Sequence, residues 1–465
     1  MLGGSGRRVL PAVHGVIAVV VVFVTICTMS AFAAGFAFTK RALAGYRVNS
    51  QQLRGGTSEQ RTHRSHARRH HRHRHKHHKR GHVHKHHGHK HRGPHRGSPT
   101  QIPPTGTLVP GSSPALFNRE VLQFPAPPNA SQGRYNVMVL QSTESKYIPI
   151  LRRLNPHMEI FMYMFTMWAN PADPQGLELC TALSQDLPHP NWFLRDAAGT
   201  ALTRSGNYEM DPGNPGYQQA CASHVIGMAK QLGFDGVNFD GINTRLAYAL
   251  APGTSSPQYP NDPSWQAAMY SFLTNVGAAI HASGLKVIGN IGGATAAIWR
   301  QWNGPLDGAE EESWTNGNFG FLQQVPAWPQ KLGDAAWSEA NGKIMLVHSY
   351  DTTEAGNTYG LASMMLVAGG HVSYSTTNTG IVNYEVWYPE YTDAQQLGAP
   401  LGSYQRLSNG VYERRFAKGI VLSNPSAAPV GAFSLGGGVY SGSGLSSVGS
   451  ASMGPTSGLI LLRVG

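Results

Sequence analysis

The sequence is poor in cysteine and in charge. Only three cysteines occur in 465 residues, which excludes a disulfide-built scaffold. Asp, Glu, Lys and Arg make up 13% of the chain, whereas glycine (55) and proline (30) are plentiful, so a coiled coil is excluded and a loop-rich globular protein fits. Acids are almost missing from the first 104 positions, where Glu59 stands alone against 19 lysines and arginines. The remainder carries 18 basic residues against 24 acids, so the formal charge of +12 belongs to an N-terminal arm. A mildly acidic body argues against a nucleic-acid footprint on the fold. That body also lacks zinc-type His/Cys spacing, a P-loop, a GxSxG elbow and a glycine-rich dinucleotide fingerprint after its first strand. No cofactor and no metal are implied, and a metal-free hydrolase is the simplest fit.

What the arm does contain is an apolar run and a histidine tract. Arg7 and Arg8 precede "VIAVVVVFVTICTMSAFAAGFAF" (16–38), long enough for the roughly 20 residues that span a bilayer. The same run reads as a signal peptide with "AFA" (31–33) as its cleavage site. Residues 1–39 therefore target a membrane as signal or anchor, and export to the cell surface is expected, although Lys40, Arg41, Arg47 and Arg54 follow the run. Residues 61–96 are dominated by His, Arg and Lys without one acid, so 40–115 is expected to be a disordered arm ending in a Pro/Gly/Ser linker. Contact with an anionic polymer or membrane surface follows from its charge. Metal capture and a plain solvated spacer are the competing readings. Cys180 and Cys221 are either a disulfide or two buried thiols.

From about residue 134 strand and helix signals alternate. "YNVMVLQ" (135–141), "EIFMYMFT" (159–166), "YEMD" (208–211), "DGVNFD" (235–240), "KVIGNI" (286–291), "LDGAEEE" (306–312), "KIMLVHSY" (343–350) and "HVSYST" (371–376) read as eight strands. Helix signals lie between them. Asn214–Pro215 opens one that carries Tyr217, Cys221, Val225, Met228 and Leu232 and stops at Gly233. Asp262–Pro263 opens another with Trp265, Met269, Phe272, Val276 and Ile280 on one face. Eight βα units predict an α/β TIM barrel over 116–400, with a doubly wound open sheet as the alternative. Short strands with glycine turns then predict a small all-β sandwich over 401–465.

Chemistry in a TIM barrel sits at the C-terminal strand ends. "DGVNFD" and "DGAEEE" both carry acids at their first and sixth positions. Strand alternation pairs Asp240 with Glu312 and Asn238 with Glu310, and turns Glu311 to the other face. Asp235 and Asp307 fall at the opposite ends and are expected to be structural. Two carboxylates at one mouth fit glycoside hydrolysis: one attacks the anomeric carbon or activates water, the other protonates the leaving oxygen. Glu310 and Glu311 stay candidates beside Glu312, because a triple Glu is also what a solvated acidic loop looks like. Asp211, Asn290, Trp168, His348, Tyr350 and Asp351 lie at or just after strand ends where substrate contacts are expected, with Asn238 inside strand four and Trp314, after the triple Glu, as a sugar-stacking face. For each of these alone, packing or turn hydrogen bonding is the simpler reading.

"WFLRDAAGTAL", "MDPGNPGYQQACASHVIGMAKQLGFDGVNFDGIN", "LDGAEEESW" and "RRFAKGIVLSNPS" resemble hypothetical glycosyl hydrolase family fifteen, and are similar to the polygalactosaminidase-like barrels. The resemblance covers the body from about 134 to 465. It implies a barrel, a carboxylate ending strand four (Asp240), and one near strand six (Glu312 or Glu311). The expected function is hydrolysis of an extracellular or cell-surface polysaccharide. A non-catalytic carbohydrate-binding barrel tethered by its basic arm is the alternative; a third reading takes the arm as the functional part.

Overall fold

A computed structural model of the protein describes residues 112–465, other than 293, 317–326 and 378–385. The apolar run and the histidine tract lie outside the described residues. Strands β1 (Leu116–Val121), β2 (Val137–Leu140) and β3 (Glu159–Phe165) come first. Three very short strands follow, β4 (Trp168–Ala169), β5 (Thr203–Arg204) and β6 (Asn207–Glu209). Then come β7 (Gly236–Asn243), β8 (Lys286–Gly292), β9 (Gly308–Glu311), β10 (Ile344–Tyr350) and β11 (Val372–Thr377). Eight of them close a parallel barrel in the order β1-β11-β10-β9-β8-β7-β3-β2. This is a TIM barrel, and the open-sheet alternative falls.

Two of the strand expectations are corrected. The barrel opens with "LFNREV" at β1, a segment too polar to read as a buried strand, since Asn118 and Arg119 are both buried in it. "YEMD" is not a barrel strand. Its core, β6, pairs antiparallel with β4 and β5 in a separate small sheet between β3 and the next helix. Ser205 and Gly206 link β5 to β6 with φ of 54° and 87°, the left-handed pair that a two-residue hairpin requires. The two errors cancel, so "DGVNFD" is still the fourth strand of the barrel.

The helices begin and end where their caps dictate. Asn214 accepts from the Gly216 and Tyr217 amides, Pro215 takes the first position, and helix Pro215–Leu232 closes at Gly233. Helix Asp262–Ala282 is capped by Asn261, one residue before the expected start, and buries Trp265, Met269, Phe272, Val276 and Ile280. Cys180 and Cys221 form a disulfide with Cα atoms 4.6 Å apart, tying the segment after β3 to helix Pro215–Leu232. Among the described residues no helix is long and apolar enough to cross a membrane.

The "DG" aspartates close the N-terminal end of the barrel in the same way. Asp235 Oδ2 accepts from the Ile160 amide at 2.7 Å while its own amide donates to Ile160 O. Asp307 Oδ2 accepts from Val287 N at 2.7 Å and its amide donates to Val287 O. Each has a basic partner, Arg152 at 2.5 Å and His281 at 2.8 Å. Above them Val137, Val139, Phe161, Ile288, Ile344 and Leu346 form an apolar cluster inside the barrel. The C-terminal part is all antiparallel: a six-stranded sheet containing Tyr412–Phe416, Gly419–Asn424 and Ser457–Arg463, and a two-stranded sheet. It packs on helix Glu354–Met365 within the same compact unit as the barrel. There the Arg414 guanidinium donates to Met365 O and Ala368 O, at 3.0 and 2.7 Å.

Candidate active site

Above the apolar cluster the barrel interior becomes acidic. Side chains alternate along each strand, so Ile344 and Leu346 are followed on the same face by His348 and Tyr350, Phe161 by Tyr163, and Ile288 by Asn290. On β7 and β9 that face carries Asn238 and Asp240, and Glu310 and, just past the strand end, Glu312. The two strands meet as the alternation requires. Asn238 Nδ2 donates to Glu310 Oε2 at 2.7 Å. One layer higher, Asn290 Nδ2 lies 3.3 Å from Asp240 Oδ1 and 3.0 Å from Glu312 Oε2. Glu311 faces the other way and pairs with Lys331 Nζ at 2.5 Å.

Asp240 is held by three donors. Tyr163 Oη donates to Oδ2 at 2.6 Å, the Gly241 amide to Oδ1 at 2.6 Å, and Asn290 completes the set. Gly241 makes this possible. Its φ is +80°, and a Cβ there would lie 3.0 Å from the Phe165 ring and 3.2 Å from Thr166 Oγ1. At that point β7 places two residues opposite one on β8, a bulge that turns the aspartate into the mouth. Glu312 stands at the rim, open to solvent on one side, and accepts from Tyr350 Oη and Asn290.

A further carboxylate completes the group. Glu120, at the end of β1, is half-buried, and burial together with the charges of Glu312 and Asp240 pushes it up to about 8. Burial raises Glu310 well above the ordinary carboxylate range, reinforced by Glu120 and Glu312 and opposed by the Asn238 hydrogen bond. Asp240 and Glu312 are raised too. For Asp240 burial outweighs its three hydrogen bonds; for Glu312, an exposed residue whose carboxyl is crowded by the mouth, local loss of water and the Asp240 charge outweigh Tyr350 and Asn290. His348 is buried beside Glu310, and burial drives its imidazole down to about 4, so the ring is neutral. Among the described residues no lysine or arginine pairs with Glu120, Asp240, Glu310 or Glu312.

The other expected contacts divide. Asn238, Asn290, His348 and Tyr350 belong to the acidic mouth. Trp314 does not: it is 1% exposed and its Nε1 donates to Gly360 O, so it is a core residue and offers no sugar face. Asp211 is occupied by the Gly213 amide, Gln258 and Tyr259. Asp351 holds Asn316, and both the amide and the hydroxyl of Thr353. Both aspartates brace loops. Trp168 is half-buried, its ring 4.3 Å from Phe165 and its Nε1 donating to the buried Glu209. Sequence reasoning missed Glu120 and Tyr163. Tyr163 was legible, because it shares strand parity with Phe161 in a segment already read as a strand.

Residues 152–420 match hypothetical glycosyl hydrolase family 15. No curated protein matches the chain. Among solved structures, Ega3 of Aspergillus fumigatus in complex with galactosamine is 14% identical, with 62% of this chain and 100% of that one covered and a TM-score of 0.39. The maltogenic alpha-amylase AmyB of Thermotoga neapolitana is 13% identical, with 75% and 99% covered and a TM-score of 0.46. The family match spans more than half of the residues, and this chain belongs to hypothetical glycosyl hydrolase family 15, within the glycosidase class of enzymes.

Proposed function

We propose that the barrel hydrolyses glycosidic bonds of an extracellular polysaccharide, with Asp240 as nucleophile and Glu312 as general acid. The observation that carries this reading is the single amide of Asn290 reaching both carboxylates at the C-terminal mouth. The roles follow from the hydrogen bonds. Three donors converge on Asp240 and stabilise a carboxylate there. Glu312, at the open rim, is placed to reach a leaving-group oxygen. Asp240 attacks the anomeric carbon while the bond to the leaving oxygen breaks and Glu312 delivers its proton to that oxygen. Water then hydrolyses the glycosyl ester, giving its proton back to Glu312 and restoring Asp240.

The bridging amide holds the two nearest oxygens within about 6 Å of each other, short of the roughly 6.5–9.5 Å that inverting enzymes need to admit a water between their carboxyls. Retention of anomeric configuration is therefore part of the proposal. Proton NMR of the first-formed product, taken before mutarotation on a polysaccharide the protein cleaves, tests it. A product of inverted configuration would refute the nucleophilic role of Asp240. The Cys180–Cys221 disulfide and the apolar run at 16–38 support the extracellular setting; recovery of the native chain from cytosol, with both thiols reduced, would remove it.

A further inference from the structure

Beneath the catalytic pair, three side chains from distant parts of the chain converge. The ligating atoms of Glu120, Glu310 and His348 all lie within 4.8 Å of one another. We infer that these three side chains form a divalent-cation site inside the barrel, of the carboxylate-preferring kind that Mn²⁺ represents.

The histidine carries the inference. His348 is 3% exposed, and its Nε2 has no hydrogen-bond partner among the described residues. That nitrogen is 3.2 Å from Glu310 Oε1 but out of line for a hydrogen bond. The other ring nitrogen, Nδ1, is 2.5 Å from Ser375 Oγ. With the Nδ1 proton donated to Ser375, the Nε2 lone pair points among the carboxylates. An outer hydrogen bond of this type is what orients a metal-binding imidazole. Glu310 is braced in the same way, with Asn238 holding Oε2 and leaving Oε1 toward the histidine.

Charge agrees with the geometry. Two carboxylates and a neutral imidazole balance a divalent ion, and the mixed oxygen and nitrogen set suits Mn²⁺ with water completing its shell. An ion here would neutralise the two deeper acids beneath Asp240 and Glu312. The ligands are separated by 190 and 38 positions, so no local spacing motif marks them.

Mn²⁺ is also the appropriate probe, because it sits at the weak end of the affinity order for imidazole ligands and discriminates against the histidine tract of the arm. Titration of the full-length protein with Mn²⁺, followed by the electron paramagnetic resonance of the free ion, should show one tight equivalent per chain. Glu310→Gln and His348→Gln should abolish that equivalent, and Ser375→Ala, which keeps all three ligands, should weaken it by roughly 10-fold or more. Saturating Mn²⁺ should also raise the melting temperature of the wild type, a readout that needs no variant to fold. No tight equivalent in the wild type, or a tight equivalent unchanged in the folded variants, would overturn the site.

Discussion

Each functional side chain in the mouth is set by a neighbour, and Tyr163 is the clearest case. Its hydroxyl donates to Asp240 Oδ2, opposite the bond from Asn290. Hydrogen bonds to charged groups contribute about 1.5–3 kcal/mol. Tyr163→Phe should therefore lower kcat by roughly 10–100-fold in the folded enzyme; unchanged kcat would mean that Asp240 does not depend on this donor. Some of this was legible in single residues. Asp240, Glu312 and Asn290 were picked from strand ends and Asn238 from strand parity. Trp314 was misjudged because a tryptophan beside an acidic run reads alike whether it faces a sugar or the core; burial under Gly360 decides it. Glu120 was invisible because its strand is polar: Asn118 is buried through bonds to Ser373, and Arg119 through its bond to Gln132.

At the scale of elements, the repeated "DG" start of β7 and β9 does mechanical work at one end so that chemistry can occupy the other. Asp235 and Asp307 each close a backbone pair with the preceding strand of the barrel order. Both carboxylates are half-buried, so losing the acceptor costs about 1 kcal/mol, the low end for an amide left unsatisfied. Asp235→Ala and Asp307→Ala should each lower stability toward urea by that amount while the turnover of folded enzyme stays within a few-fold of wild type. A loss of turnover comparable to that of Asp240→Asn would place these residues in the site instead. The alternation that separated these aspartates from Asp240 and Glu312 was readable because β7 and β9 begin with the same dipeptide. The β5–β6 hairpin was not, since strands of two and three residues carry too little alternation to distinguish an excursion from a barrel strand.

At the scale of the whole molecule, the βα rhythm was enough to reach the barrel, and the loss of that rhythm near residue 405 was enough to reach the antiparallel C-terminal part. What the rhythm could not show is which strands become neighbours. Closing the barrel places β1 beside β11, and so brings Glu120 to His348 and Glu310 from the far end of the barrel sequence. The resulting mouth holds four carboxylates, of which the account assigns chemistry to two. The most direct test is turnover of a responsive polysaccharide by the wild type and by Asp240→Asn, Glu312→Gln and Glu311→Gln, each checked for folding. The account predicts a loss of at least roughly 10²-fold for the first two, the scale of a missing acid or base. It predicts a much smaller effect for Glu311→Gln, whose carboxylate is paired with Lys331 outside the mouth. Near-wild-type turnover by Asp240→Asn or Glu312→Gln, or abolition by Glu311→Gln alone, would contradict it.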